Sequence, residues 1–189
     1  VAEIRINRAP VLALWATVVA KRLGFSEPEA LTLGKVITGL TAQAKGRRLG
    51  IYEPRPPEER AKVSRKREER GVEWLEFMGR MVPVIRTEEG IRAVSGANPV
   101  SPESARRYLK SKFGEHLPLV EKKLTELAET FEPEELAEEA MKVYMQIRPE
   151  VPKGRAGWGK TGVLDLDNID RLISWRRKVR GREQADRGA

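Results

Sequence analysis

Residues 9–20 read Ala-Pro-Val-Leu-Ala-Leu-Trp-Ala-Thr-Val-Val-Ala, twelve positions without a charge, closed by Lys21 and Arg22. As a helix this run is too short for a hydrocarbon core of roughly 30 Å, so it belongs inside a protein core. Pro10 suits a first helical turn, and Gly24 can end the helix in a left-handed conformation. Ser26-Glu27-Pro28-Glu29 then fits a capping box, with proline tolerated in the first turn. Beyond it Leu33, Val36, Ile37, Leu40 and Ala44 fall on one stripe of a second helix. Gly34 and Gly39 lower the propensity of that helix, which points to close helix packing, and Gly46 is the expected stop. Residues 1–52 therefore read as a helical hairpin.

Arg5 and Arg8 ahead of the apolar run give it a faint likeness to a signal peptide. No small-residue cleavage site precedes Lys21, and a second capped helix follows at once. The expected compartment is the cytoplasm, with no membrane partner.

Downstream the character changes. Glu53-Pro54-Arg55-Pro56-Pro57 is a stiff, extended linker. Between positions 58 and 70 stand six basic and four acidic side chains, with only Ala61 and Val63 apolar. A helix there has almost no face to bury; it is solvated or lies on a polyanion. Residues 53–71 thus form a linker and charged helix, and residues 72–180 a mainly helical domain that can be one with residues 1–52. Residues 181–189 read as a disordered tail.

Within 72–94, Met81-Val82-Pro83-Val84-Ile85 and Ile91-Arg92-Ala93-Val94 can pair as a small β-hairpin, with Pro83 confining its strand to an edge. A competing reading makes residues 88–113 a helix-turn-helix: 88–94 the first helix, 95–99 an over-long turn, 101–113 the reading helix. In that helix Ala105, Tyr108, Leu109 and Phe113 would pack inward while Arg106, Arg107 and Lys110 project outward, suited to phosphates or guanine edges. Further helices start at Pro118 and Pro133, and Asp165 or Asp167 can cap a last one that turns basic from Trp175. The fold class expected is mainly α, a multi-helix domain with an optional hairpin near residues 72–94.

Composition narrows the chemistry. The 189 residues contain no cysteine and one histidine, His116, which excludes disulfides, thiolate metal sites and multi-histidine centres. The four aspartates are better explained by capping than by a calcium loop, since the other positions of such a loop carry the wrong residues. No catalytic residue, metal ligand or cofactor is therefore assigned. Gly154-Arg155-Ala156-Gly157-Trp158-Gly159-Lys160-Thr161 matches G-x-x-x-x-G-K-[ST], but a working phosphate loop follows a buried strand and opens a helix, and no strand–helix series surrounds this one. Lys153, Arg155 and Lys160 can still hold a phosphate without hydrolysing anything, with Trp158 stacking on a base or sugar.

Charge is distributed unevenly. Residues 1–70 carry +7, residues 71–147 carry −4 and residues 148–189 carry +5, for a net +8. Three basic clusters stand out: Lys45, Arg47 and Arg48; Arg65, Lys66 and Arg67 within the 60–70 run; and Arg176, Arg177 and Lys178. If they meet in space they can neutralise several phosphates. The function expected is non-catalytic nucleic-acid binding, to duplex DNA before RNA. The alternatives are a helical protein-interaction module that self-associates, and a phosphate-binding enzyme built on residues 154–161.

Overall fold

The computed structural model describes residues 3–152 and 160–188. Strand β1 (Glu3–Asn7) leads into helices α1 (Arg8–Arg22), α2 (Glu27–Arg48) and α3 (Pro57–Glu69). Strands β2 (Glu73–Phe77), β3 (Arg80–Thr87), β4 (Gly90–Ser95) and β5 (Asn98–Pro99) follow. Helices α4 (Pro102–Phe113), α5 (Leu117–Glu129) and α6 (Pro133–Ile147), strand β6 (Thr161–Asp165) and helix α7 (Leu166–Arg187) complete the order.

An apolar run with no polar face must be covered on every side, and α1 is: every residue from Pro10 to Ala20 is buried. Helices α2, α4, α5 and α6 surround it. Trp15 is completely enclosed, and its indole N–H donates to the Ala140 carbonyl at 2.8 Å, which ties α1 to α6. The turn between α1 and α2 follows the local signals. Gly24 has φ +104°, and Ser26 and Glu29 form the reciprocal capping box. Helix α2 runs past Gly46 to Arg48 before Gly50, at φ +70°, releases the chain. One hydrophobic core extends from Ile4 to Ile173.

The mainly α expectation is overturned. Two antiparallel sheets accompany the seven α-helices of the described residues, and the fold is mixed α/β. The larger sheet is a meander in the order β2-β3-β4-β5, turned by two-residue loops. At the first loop Met78 (φ 49°) and Gly79 (φ 76°) are both left-handed, the primed turn whose twist matches the flanking strands. Strand β3 lies inside this sheet and not at its edge, contrary to the expectation from Pro83. Its ladder to β4 begins only at Val84, however, so Pro83 faces Trp74 of β2 and has no β4 partner in the register. The second sheet pairs β1 with β6, Glu3 opposite Asp165 and Asn7 opposite Thr161, and joins the two ends of the chain.

The helix-turn-helix reading is corrected as well. Residues 90–95 are strand β4: Gly90 to Ala93 pair with β3, Val94 pairs with β5, and Arg92, Ala93 and Val94 are buried. Helix α4 does form, capped by Ser101, with Ala105, Leu109 and Phe113 buried, but a strand and a tight turn precede it. At the far end α7 continues through Arg187, where a disordered tail from 181 was expected. Among the described residues no helix is long and apolar enough to cross a membrane.

Candidate nucleic-acid interface

Helix α3 buries none of its residues. A helix with no apolar stripe gains little from packing, and this one is held by polar latches instead. Arg67 donates from Nε to the Gly96 carbonyl at 2.6 Å. Arg70 donates from Nη1 to the Ala97 carbonyl at 2.6 Å and to Asn98 Oδ1 at 2.7 Å. Both latches grip the β4–β5 turn. The Arg67 guanidinium also lies 5.3 Å from the Trp74 ring centre, in cation–π range.

Between α3, α2 and strands β3 and β4 of the meander lies a cleft of about 510 Å³. Lys35, Gly39, Gln43 and Arg47 of α2 line one side of it, and Arg60, Val63, Ser64 and Arg67 of α3 another. Tyr52 and Arg55 of the connecting segment contribute, as do Pro83, Val94 and Gly96 of the sheet. Five lining side chains are cationic and none is a carboxylate. Lys35 donates to Ser104 Oγ at 2.8 Å, and the Arg47 guanidinium sits 5.5 Å from the Tyr52 ring centre. Burial lowers the pKa of Arg67, as expected for a cation drawn into low dielectric.

The first two basic clusters therefore meet, but only in part. Arg47 and Arg67 share the cleft, whereas Lys45 and Arg48 leave α2 on another side and line a different cleft. Arg65 and Lys66 are exposed on other faces of α3 and do not line the cleft. On α4, Arg106 pairs with Glu27 at 3.4 Å, while Arg107 and Lys110 are exposed.

The third cluster does not join the others. Arg176 pairs with Glu135 at 2.8 Å and covers the Phe131 ring at 3.5 Å. Arg177 reaches Glu126 at 4.0 Å, and Arg180 pairs with Glu132. These cations fasten α7 to the acidic surface of α5 and α6, so their charge is already compensated. Lys178 is exposed.

Lys153, Arg155 and Trp158 lie outside the described residues. Lys160 is exposed and directly precedes β6, which starts at Thr161. The Gly-Lys-Thr match thus opens a strand, and the helix whose N-terminus would cradle a phosphate is missing from that position. Asp165 spends its carboxylate on capping α7 through the Asn168 N–H and on Arg171.

Of the cleft residues, Lys35 and Arg55 stand alone in the sequence, and Tyr52 carries no charge to flag it. The clue available was the linker itself: five residues containing three prolines fold the charged helix back toward α2. Scans against protein-family models, curated proteins and solved structures find no match to this chain.

Proposed function

We propose that this protein binds nucleic acid without transforming it, seating one phosphate backbone in the cleft between α2 and α3. The observation that carries the reading is that cations from two sequence-distant clusters, Arg47 with Arg60 and Arg67, line one cleft free of carboxylates. A cation set of this kind is neutralised best by a polyanion, because each phosphate contact releases condensed counterions. The contacts it offers are to backbone and carry no base code, which fits binding without strong sequence preference. Duplex DNA is favoured over RNA, with one strand in the cleft. A cytoplasmic location accompanies the proposal.

Fluorescence anisotropy with labelled duplex DNA, single-stranded DNA and RNA at low salt tests it. The expected result is saturable duplex binding that weakens as salt rises. Binding absent at low salt, or indifferent to salt, overturns the reading.

A further inference from the structure

Lys45 and Arg48 point away from the interface, into a second cleft of about 470 Å³ between the end of α2, the β2–β3 turn and the end of α6. Arg80 enters from the turn and Arg148 from the residue after α6, so three separate elements deliver four cations to one place. None of the four is in an ion pair among the described residues. Residues outside the description contain no Asp or Glu that could supply one. Elsewhere the chain compensates such charge, as α7 does. Here it concentrates it.

Repulsion is evident at Lys45, whose pKa is lowered by burial and then by Arg8, Arg148 and Arg48. Arg8 stands close behind, its Nε donating to the Pro149 carbonyl and its own carbonyl accepting from the Tyr144 hydroxyl. Gathering like charges without partners costs stability, and a bound anion is what recovers it.

The rest of the lining says what the anion carries. Met141 and the half-exposed Met145 offer thioethers to the cleft, Ala44 adds apolar surface, and Met78 and Tyr144 form its buried floor. Methionine adapts to flat aromatic groups and makes favourable sulfur–ring contacts. Met78 is buried at φ 49°, in a left-handed turn position that non-glycine residues seldom occupy. The volume also falls in the range of small-molecule pockets.

We infer that this second cleft is a binding site for a nucleoside diphosphate, with the phosphates among Lys45, Arg48, Arg80 and Arg148 and the base against the methionines. The site is separate from the nucleic-acid cleft, and the inference does not depend on that reading.

The test is calorimetric titration of the intact protein with ADP, AMP and pyrophosphate in magnesium-free, low-salt buffer, alongside thermal melting. ADP is expected to bind saturably and raise Tm, and AMP and pyrophosphate to bind more weakly, one lacking the second phosphate and the other the base. Lys45→Gln and Arg80→Gln should each weaken ADP about tenfold, the usual loss for one charge-assisted hydrogen bond. Arg47→Gln/Arg60→Gln, in the other cleft, should leave ADP binding unchanged. Unliganded Lys45→Gln should melt at or above the wild-type temperature, since a repelling charge is gone; a merely structural lysine would give the reverse.

No saturable ADP binding overturns the inference, as does wild-type affinity in both Lys45→Gln and Arg80→Gln. Pyrophosphate binding as tightly as ADP overturns the nucleoside assignment.

Discussion

The salt dependence of DNA binding can be worked out from the cleft before it is measured. Five cations line it: Lys35, Arg47, Arg55, Arg60 and Arg67. If each neutralises one phosphate of a B-form duplex, log K should fall against log salt with a slope of about −4.5, and for a single strand about −3.5. Between 50 and 200 mM salt that is a loss of about 500-fold for the duplex. Arg47→Gln/Arg60→Gln removes two contacts, so the slope should flatten by about 1.8. Arg67 is left out of the perturbation because its Nε holds the Gly96 carbonyl and its loss would unlatch α3 as well. Arg177→Gln on α7 is the control: its charge faces Glu126, so the slope should not change. Anisotropy titrations with one labelled duplex at four salt concentrations give all three slopes. A double variant with the wild-type slope, or an Arg177 variant that flattens it equally, refutes the assignment of the cleft.

Two glycines of α2 should respond in opposite directions to alanine. At Gly34 a Cβ would fall against Thr17 Oγ1 and 2.5 Å from the Ala13 carbonyl oxygen, so Gly34→Ala should cost about 1–3 kcal/mol. Gly39 has nothing within 4 Å, and Gly39→Ala should gain up to about 1 kcal/mol of helix propensity, both read by urea denaturation. Glu29 accepts the Ser26 N–H on one carboxylate oxygen and the Ile91 N–H on the other, each at 2.9 Å, so Glu29→Gln should cost about 1–3 kcal/mol at pH 7. Burial opposes ionisation there, but the Ile91 and Ser26 hydrogen bonds and Arg92 hold the carboxyl below its ordinary value of 4.5. The stabilisation is thus complete above 4.5 and lost as pH falls through the folded value, so wild type and variant should converge in acid.

Most helices could be read in the sequence because their signals are local. The 9–20 run, the Ser26–Glu29 box, the Ser101 cap and the stripes of α5 and α6 each lie within a few turns of chain. The β3–β4 hairpin was legible too, from Met81–Ile85 and Ile91–Val94; the other pairings were not. Strand β2 reads Glu-Trp-Leu-Glu-Phe, without strict alternation, and its turn carries Met78 where asparagine or aspartate would have advertised a primed hairpin. Strand β5 is two residues long and exists only because β4 is beside it. Strands β1 and β6 sit at opposite ends of the chain, and Ile4 and Ile6 could hint at a strand without naming a partner. Pro83 misled for a related reason: the rule for proline concerns the local ladder, and β4 stops pairing one residue short of it.

For the site, adjacency in sequence was the wrong measure of a cluster, and the helical period would have been a better one. Lys45 and Arg48 stand three apart on α2 and share a face; Arg47, two from Lys45, cannot share it. That periodicity alone divides the first basic cluster between two clefts, as the lining residues do. The same arithmetic applied to α7 leads elsewhere. Arg176 and Arg180 are four apart, on a face that meets Glu135 and Glu132 of the acidic middle segment. The opposite charges of residues 71–147 and 148–189 are therefore spent on each other in holding the fold together. The N-terminal excess finds no such outlet around α2, and it is there that both proposed anions would bind.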